Sequence, residues 1–355
     1  MSSKLEAVVT NWYPRFLANG IDWFDLTRTL ERVDDWDNWA DAWTATADSY
    51  ENLGRGALAQ GHRVTAAEHL RRASLTLQFA QFVLTEQPER RRALQQRMSA
   101  IYALCAPLLD PPAKRYAVTY DEQRQVVGYL RVPPDTERPG VVLLLPGLES
   151  TKEQFSTYEP YFLRRGVATL SVEGPGQGDG SLTAPFRDAL YAKAVAAVAA
   201  AMVSFGGIDS RRLVVLGTSF GGYLALRHAP AVPGLRGVVD IAGPYDLRAF
   251  DELQEVTRDG FRDFVGADHE DEARKLLDDV TLEEMLDDYP APVLVVHGEQ
   301  DRIIDVSHAH RIVADLGTVA DVRLEPAGNH SCNNVATTVR PAVADWVADR
   351  LEDSS

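Results

Sequence analysis

The chain has 355 residues, 45% of them apolar, and a formal charge of −16 at neutral pH. That is an ordinary globular composition, and its acidity argues against a nucleic-acid partner, because phosphates are bound by basic patches. Its longest apolar stretches are strand-length or alanine-rich, such as Ala192 to Met202 with Lys193 inside it, so none reaches the roughly 20 residues of a membrane span.

The first segment, Met1-Ser-Ser-Lys-Leu-Glu, lacks the apolar run of a secretion signal, so a cytoplasmic protein is expected. Residues 1 to about 110 read as a helical domain. Ala40 to Leu53, Val64 to Thr85 and Glu89 to Cys105 show helical apolar spacing, punctuated by Pro88 and Pro107. Five of the six tryptophans, Trp12, Trp23, Trp36, Trp39 and Trp43, fall in the first 43 residues. Core packing of a small helical domain is the plain reading, since large aromatics bury much area from few residues. An aromatic wall over a substrate pocket is the alternative.

Pro111-Pro112 marks a linker, so a second domain is expected over 111–355. Tyr116 to Tyr120 and Val126 to Val132 alternate like an antiparallel hairpin. From Gly140 strands and helices alternate, as in a doubly wound, mostly parallel α/β sheet. The strand Val141 to Leu145 runs into the loop Pro146-Gly-Leu-Glu-Ser150. The strand Val167 to Val172 is followed by Gly174-Pro-Gly-Gln-Gly-Asp-Gly180, whose spacing does not fit a nucleotide loop and which carries no P-loop lysine. It reads as a loop at the rim of a site.

The most informative segment comes next. Gly217-Thr218-Ser219-Phe220-Gly221 lies between the apolar run Leu213 to Leu216 and a helix-compatible run from Gly222 to His228. A strand turning sharply into a helix holds the middle residue on a strained elbow with its side chain pushed out of the sheet. Residues 244–289 are acidic, helical in pattern and too long for a simple crossover, so a cap insert is expected there. The strand Val293 to Gly298 leads to Glu299, Asp301 and Asp305. Asp301 is the expected acid, with Glu299 and Asp305 as competitors. Val322 to Glu325 then precedes the loop Pro326-Ala-Gly-Asn-His330.

The order Ser219, Asp301, His330 suits nucleophilic catalysis. Serine at neutral pH needs a neighbouring base. His330 would take its proton and return it to the leaving group, and Asp301 would fix the imidazole tautomer. Backbone N–H groups of Leu148 and Phe220 are the expected oxyanion hole. No metal site is expected: Cys105 and Cys332 form neither a metal pattern nor a disulfide framework. His308 and His310 sit two apart on what reads as a helix, so they point in different directions. Cys332, two residues past His330, reads as a small buried hydrophobe, with a site-lining role as the alternative.

Residues from about Gly128 to Leu351 resemble an α/β-hydrolase. Leu145-Pro-Gly-Leu-Glu-Ser-Thr-Lys152, Val172-Glu-Gly-Pro-Gly-Gln-Gly178 and Gly328-Asn-His-Ser-Cys332 are similar to the group containing dihydroxypseudooxynicotine hydrolase, a carbon–carbon bond hydrolase of nicotine breakdown. Fungal hydrolases that shorten polyketide chains for melanin pigments are similar too. The resemblance implies the same triad and a helical domain before the hydrolase core. It also implies an acidic residue after the strand that follows the nucleophile helix. Asp251 and Glu252 lie in that region, and either, or neither, corresponds.

The resulting expectation is a cofactor-independent serine hydrolase. It would cleave a carbon–carbon bond of a ketone, or an ester, in a small aromatic or polyketide-like molecule, with water as second substrate. A cyclase, acyltransferase or lyase on the same scaffold is the alternative, and a non-catalytic binding or scaffold protein a third reading. The 1–110 domain is expected to pack over the carboxyl edge of the sheet as a cap, with 244–289 completing the lid, or to mediate a homodimer.

Overall fold

The computed structural model describes residues 3–81 and 84–352. The chain divides into two compact units, one up to Arg115 and one from Tyr116 onward.

The first unit is helical: α1 (Ser3–Ala18), α2 (Trp23–Leu30), α3 (Trp39–Ala59), α4 (Arg63–Gln81) and α5 (Pro88–Cys105). The expected helix from Val64 to Thr85 is observed as α4 only up to Gln81; residues 82 and 83 lie outside the described residues. Its core is aromatic. Phe16 meets Phe79 edge-on with centroids 4.7 Å apart and Trp43 at 5.2 Å, and Trp39 lies 5.5 Å from Trp43. Trp39 Nε1–H donates to the Phe79 carbonyl at 2.8 Å, which satisfies the one polar atom of a fully buried indole. Trp12, Trp39 and Trp43 are buried, as core packing requires. Trp23 departs from that pattern: half its surface is exposed.

The second unit carries the α/β architecture. Its elements are β1 (Ala113–Asp121), β2 (Arg124–Arg131), β3 (Val141–Leu145), α6 (Glu159–Leu163), β4 (Ala168–Val172), α7 (Gly178–Ser181), α8 (Asp188–Met202), β5 (Leu213–Thr218) and α9 (Phe220–His228). They continue with β6 (Leu235–Ile241), α10 (Glu255–Phe264), α11 (Glu270–Leu277), β7 (Val293–Gly298), α12 (Ser307–Leu316), β8 (Ala320–Glu325) and α13 (Ala336–Leu351). Eight strands form one sheet in the order β1-β2-β4-β3-β5-β6-β7-β8. β2 runs antiparallel to β4, and every pairing from β4 to β8 is parallel. This is the doubly wound sheet expected from the alternation of strands and helices.

The sequence of the central strands explains why helices cover both faces. Every residue of β3 is apolar and buried. Side chains alternate across a strand, so Val141, Leu143, Leu145, Leu213, Val215, Val293 and Val295 enter one core with α8, α9 and α12. Val142, Leu144, Val214, Leu216, Leu294 and Val296 enter the other with Phe162 of α6 and Val339, Val343 and Val347 of α13. Continuous β-branched and leucine runs mark such a doubly covered parallel sheet. Residues 244–289 hold α10, α11 and a short 3₁₀ turn at Phe250–Glu252. Their Tyr245, Phe261, Phe264 and Leu282 belong to the α8/α9 core.

The register aligns the carboxyl ends of β3, β5, β6 and β7. Leu145 pairs with Gly217, Thr218 with Ile241, and Ile241 with Val296. Loops after these strands therefore leave from one edge, where open α/β sheets bind ligands. The junction between β5 and α9 is the tightest point. A Cβ on Gly217 would sit 1.8 Å from the Gly221 carbonyl oxygen, so only glycine lets the chain turn from strand to helix there. Gly217→Ala is expected to cost about 3 kcal/mol or more through overpacking, a fall in Tm of roughly 6–12 °C. Gly206→Ala, at a site with nothing within 4 Å, is the matched control and should melt with the wild type. Equal melting of the two variants would show that the elbow tolerates a side chain.

Candidate active site

Ser219 stands between β5 and α9 with φ 55° and ψ −131°. A left-handed φ is unfavourable for a residue with a Cβ, so the surroundings must impose it. They do so through two short backbone bonds. Ser219 N–H donates to the Ile241 carbonyl at 2.7 Å, and Gly222 N–H donates to the Ser219 carbonyl at 2.7 Å. The strain turns the side chain away from the strand, toward the loop after β8.

That loop delivers His330. Its Nε2 lies 2.8 Å from Ser219 Oγ, and its Nδ1 lies 2.8 Å from Asp301 Oδ2. Asp301 follows β7 and is buried. Its Oδ1 accepts from the backbone N–H of Ile303 at 2.8 Å and Ile304 at 3.0 Å, leaving Oδ2 for the imidazole. Burial alone would raise the Asp301 carboxyl. The His330 and His297 rings beside it outweigh that and hold it well below the usual carboxylate range. An anionic Asp301 can only accept, so Nδ1 carries the proton and donates. Nε2 is then a lone pair facing the serine hydroxyl, which donates to it.

The competing acids lie elsewhere. Glu299 is exposed, and the Asp305 carboxylate, also exposed, accepts from Ser307 N–H at 2.9 Å at the start of α12. Asp251 is exposed and pairs with Arg274, and Glu252 is exposed too, so neither is placed as a buried acid beside the triad. Cys332 is fully buried in the core between the sheet and α13, and burial pushes its thiol up to about 12. It is a small hydrophobe rather than a site-lining thiol. His308 Nδ1 accepts from Tyr245 N–H at 3.0 Å. Among the described residues no group of three or more His, Cys, Asp or Glu could hold a metal.

The loop after β3 reaches the serine. A Cβ on Gly147 would lie 2.9 Å from Ser219 Cβ and 3.4 Å from Oγ, so the backbone there can pass only as glycine. Leu148 follows directly. Phe220 opens α9, and a first helical residue has no intrahelical carbonyl for its N–H.

Two polar groups that sequence reasoning passed over sit behind Asp301. His297 is buried in β7; its Nε2 lies 2.9 Å from the Ile304 carbonyl and 3.4 Å from Asp301 Oδ2. Burial disfavours its charged form, but Asp301 wins and the ring is raised overall. Asp240 in β6 is fully buried; desolvation pushes it up to about 7 against the pull of His297 and a bond from Gly243 N–H. The signal was a histidine and an aspartate inside otherwise apolar strands. A polar side chain in the middle of a buried strand must be satisfied by something.

The chain also matches known families and proteins. A model of the prolyl oligopeptidase family matches residues 153–353, and a model described as esterase FrsA-like matches residues 32–243. 2,6-Dihydropseudooxynicotine hydrolase of Paenarthrobacter nicotinovorans is 32% identical over 352 residues, which is 98% of this chain and 94% of that one. Hydrolase acrC of Aspergillus aculeatus is 31% identical over 254 residues, 65% of this chain and 59% of its own. The crystal structure of 2,6-dihydroxy-pseudo-oxynicotine hydrolase matches with a TM-score of 0.88 at 30% identity, covering 96% of this chain and 95% of that chain. The chain therefore belongs to the α/β-hydrolase superfamily, to the group that includes 2,6-dihydropseudooxynicotine hydrolase, and is a serine hydrolase.

Proposed function

We propose that this enzyme uses Ser219 as nucleophile, His330 as general base and acid, and Asp301 as the orienting anion. Its proposed substrate is a small aromatic or polyketide-like molecule in which it cleaves a carbon–carbon bond next to a ketone, or an ester. The observation that carries the reading is the unbroken chain Asp301–His330–Ser219, with both links at 2.8 Å. The name of the full-length relative, a hydrolase of 2,6-dihydropseudooxynicotine, supports a small organic substrate.

The steps follow from the residues. His330 Nε2 takes the hydroxyl proton as Ser219 Oγ bonds to the substrate carbonyl carbon. Leu148 and Phe220 N–H hold the oxyanion. The tetrahedral adduct collapses, the bond to the leaving carbon or oxygen breaks, and His330 returns the proton to that atom. Water, deprotonated by the same ring, then attacks the acyl carbon; the bond to Ser219 Oγ breaks, His330 returns the proton to Oγ, and a carboxylic acid leaves.

The helical unit acts in this reading as a cap over the substrate, with 244–289 as further lid, and as a surface for a homodimer. The long relative matches through this unit as well as the catalytic one. A cytoplasmic location is part of this reading; among the described residues no helix is long and apolar enough to cross a membrane.

Ser219→Ala is expected to lower turnover of aryl ketones and activated esters on the order of 10⁶-fold, with labelling by a fluorophosphonate abolished in Ser219→Ala and His330→Ala. In ¹⁸O-water the product acid should carry solvent oxygen; a product without it would point to cyclisation or acyl transfer instead. The acid limb of kcat/KM is expected to carry no step from Asp301, because the rings beside it hold its carboxyl well below the usual carboxylate range. A slope of two would show that the carboxyl titrates there. Removing residues 1–110 should abolish turnover of the natural, larger substrate while sparing small activated esters. Undiminished activity on large substrates would remove the cap role.

A further inference from the structure

The loop 173–180, which the sequence suggested only as a rim, is bonded to the loop that carries Gly147 and Leu148. β3 and β4 are parallel neighbours, with Leu144 paired to Ser171, so the loops that follow them leave the sheet side by side. Gln177 is buried at 1% exposure. Its Nε2 donates to the Pro146 carbonyl at 2.5 Å and to the Gly147 carbonyl at 3.2 Å. Its Oε1 accepts from Gly174 N–H at 3.1 Å and from the Tyr191 hydroxyl at 3.0 Å. Both amide hydrogens and both lone pairs are thereby used. The orientation is also fixed: a flipped amide would set oxygen against two carbonyls and nitrogen against two donors.

This bonding has a consequence one peptide away. The Gly147 carbonyl and the Leu148 N–H belong to the same planar trans unit and point in opposite directions. Holding the carbonyl on Gln177 therefore turns the N–H away from Gln177. Gly147 is also the residue that touches Ser219. Glycine is required there for close approach, yet glycine rotates more freely than any other residue. A rotation of the 147–148 peptide would present oxygen, not N–H, to a developing oxyanion. The other end of the loop is tied to the same turn: Glu173 accepts from Lys152 N–H at 3.1 Å, from Lys152 Nζ at 2.7 Å and from Asp179 N–H at 2.6 Å.

We propose that Gln177 is a positioning residue for hydrolysis, which holds the Gly147–Leu148 peptide with its N–H toward the oxyanion formed at Ser219. The inference rests on the serine-hydrolase reading above. It assigns a catalytic purpose to a side chain that touches neither substrate nor triad.

The test compares wild type, Gln177→Met, Gln177→Glu and Tyr191→Phe with an activated aryl ester and a trifluoromethyl ketone. That ketone adds to the serine and forms a stable oxyanion. Gln177→Met keeps the length of the side chain and removes both donors. It is expected to lower kcat about 10²-fold, the scale of one lost oxyanion donor, with KM within twofold. The inhibition constant for the ketone should rise by the same factor as kcat/KM falls. Gln177→Glu, which sets a carboxylate against two carbonyls, should be worse, and Tyr191→Phe, which frees one lone pair of the amide, milder.

A general loosening of the fold would not make kcat/KM and ketone affinity move together while KM stays fixed. A folded Gln177→Met with kcat and ketone affinity within twofold of wild type overturns the proposal. So does a loss seen in KM alone. If that variant does not fold, the same parallel shift is required of Tyr191→Phe, at severalfold, and its absence overturns the proposal. Ser219→Ala separates the two levels: turnover surviving in it removes the serine reading itself. An inert Ser219→Ala beside an unimpaired Gln177→Met removes only the role of Gln177.

Discussion

One buried negative charge organises the carboxyl edge of the sheet. Removing a carboxylate from water is costly unless donors replace the water. Asp301 has three: Ile303 and Ile304 N–H on one oxygen and His330 on the other, with the His297 ring 3.4 Å from that second oxygen. The backbone donors come from the turn that Asp301 itself begins, so the acid helps fold its own loop. Once the charge is fixed, the tautomer of His330 follows, and with it the direction of the lone pair that meets Ser219. Asp240 in β6 acts on His297 through charge alone. Its carboxyl, pushed up to about 7 by burial, lies beside a ring that Asp301 draws toward the charged form. The triad is thus the outer end of a polar column, Ser219–His330–Asp301–His297, that runs into a strand otherwise apolar.

The chain accepts backbone strain where that column ends. Ser219, Ser331 and Cys332 all have φ between 53° and 55°. Each such residue costs of order 1–3 kcal/mol and persists only where its surroundings over-determine it. Ser219 is held by hydrogen bonds to two neighbouring segments, and Cys332 by full burial in the α13 core. The two strained stretches flank the 2.8 Å contact between serine and histidine. Part of the backbone strain, shared with residues such as Glu122 and Arg138 elsewhere, therefore sits where a hydroxyl and an imidazole from distant parts of the chain have to meet.

What the sequence made legible, and what it hid, follows the same division between order and proximity. The elbow around Ser219 is a local pattern, and the acid and the histidine follow it at strand ends in a fixed order. The structure brings those three residues together. The strand alternation that splits into two cores was legible for the same reason. Asp301 could not be separated from Glu299 and Asp305 by position alone; its burial and its bonds to the turn decide between them. Gln177 and His297 were named only as members of a loop and a strand, because their partners, Pro146 with Gly147 and Asp301, are brought near by pairing of strands and not by spacing. Asp251 shows the converse: an acid whose stretch of sequence left its role open, and whose side chain pairs with Arg274 at the surface.

The exposure of Asp251 and Glu252 also bears on the chemistry. A leaving alkoxide and a leaving carbanion differ greatly in basicity, and a second buried acid would ease the departure of the poorer one. Among the described residues His330 is the acid–base group hydrogen-bonded to Ser219. The proton that reaches a leaving carbon in the proposed reaction is then the one His330 took from the serine. A single imidazolium suffices only if the carbon fragment already spreads its charge, as an electron-rich arene or the central carbon of a β-dicarbonyl does. An unactivated ketone would collapse back to substrate faster than its carbon–carbon bond could break. Among the proposed carbon–carbon substrates, those whose own electronics stabilise the leaving carbon ask least of His330, while esters need no such help.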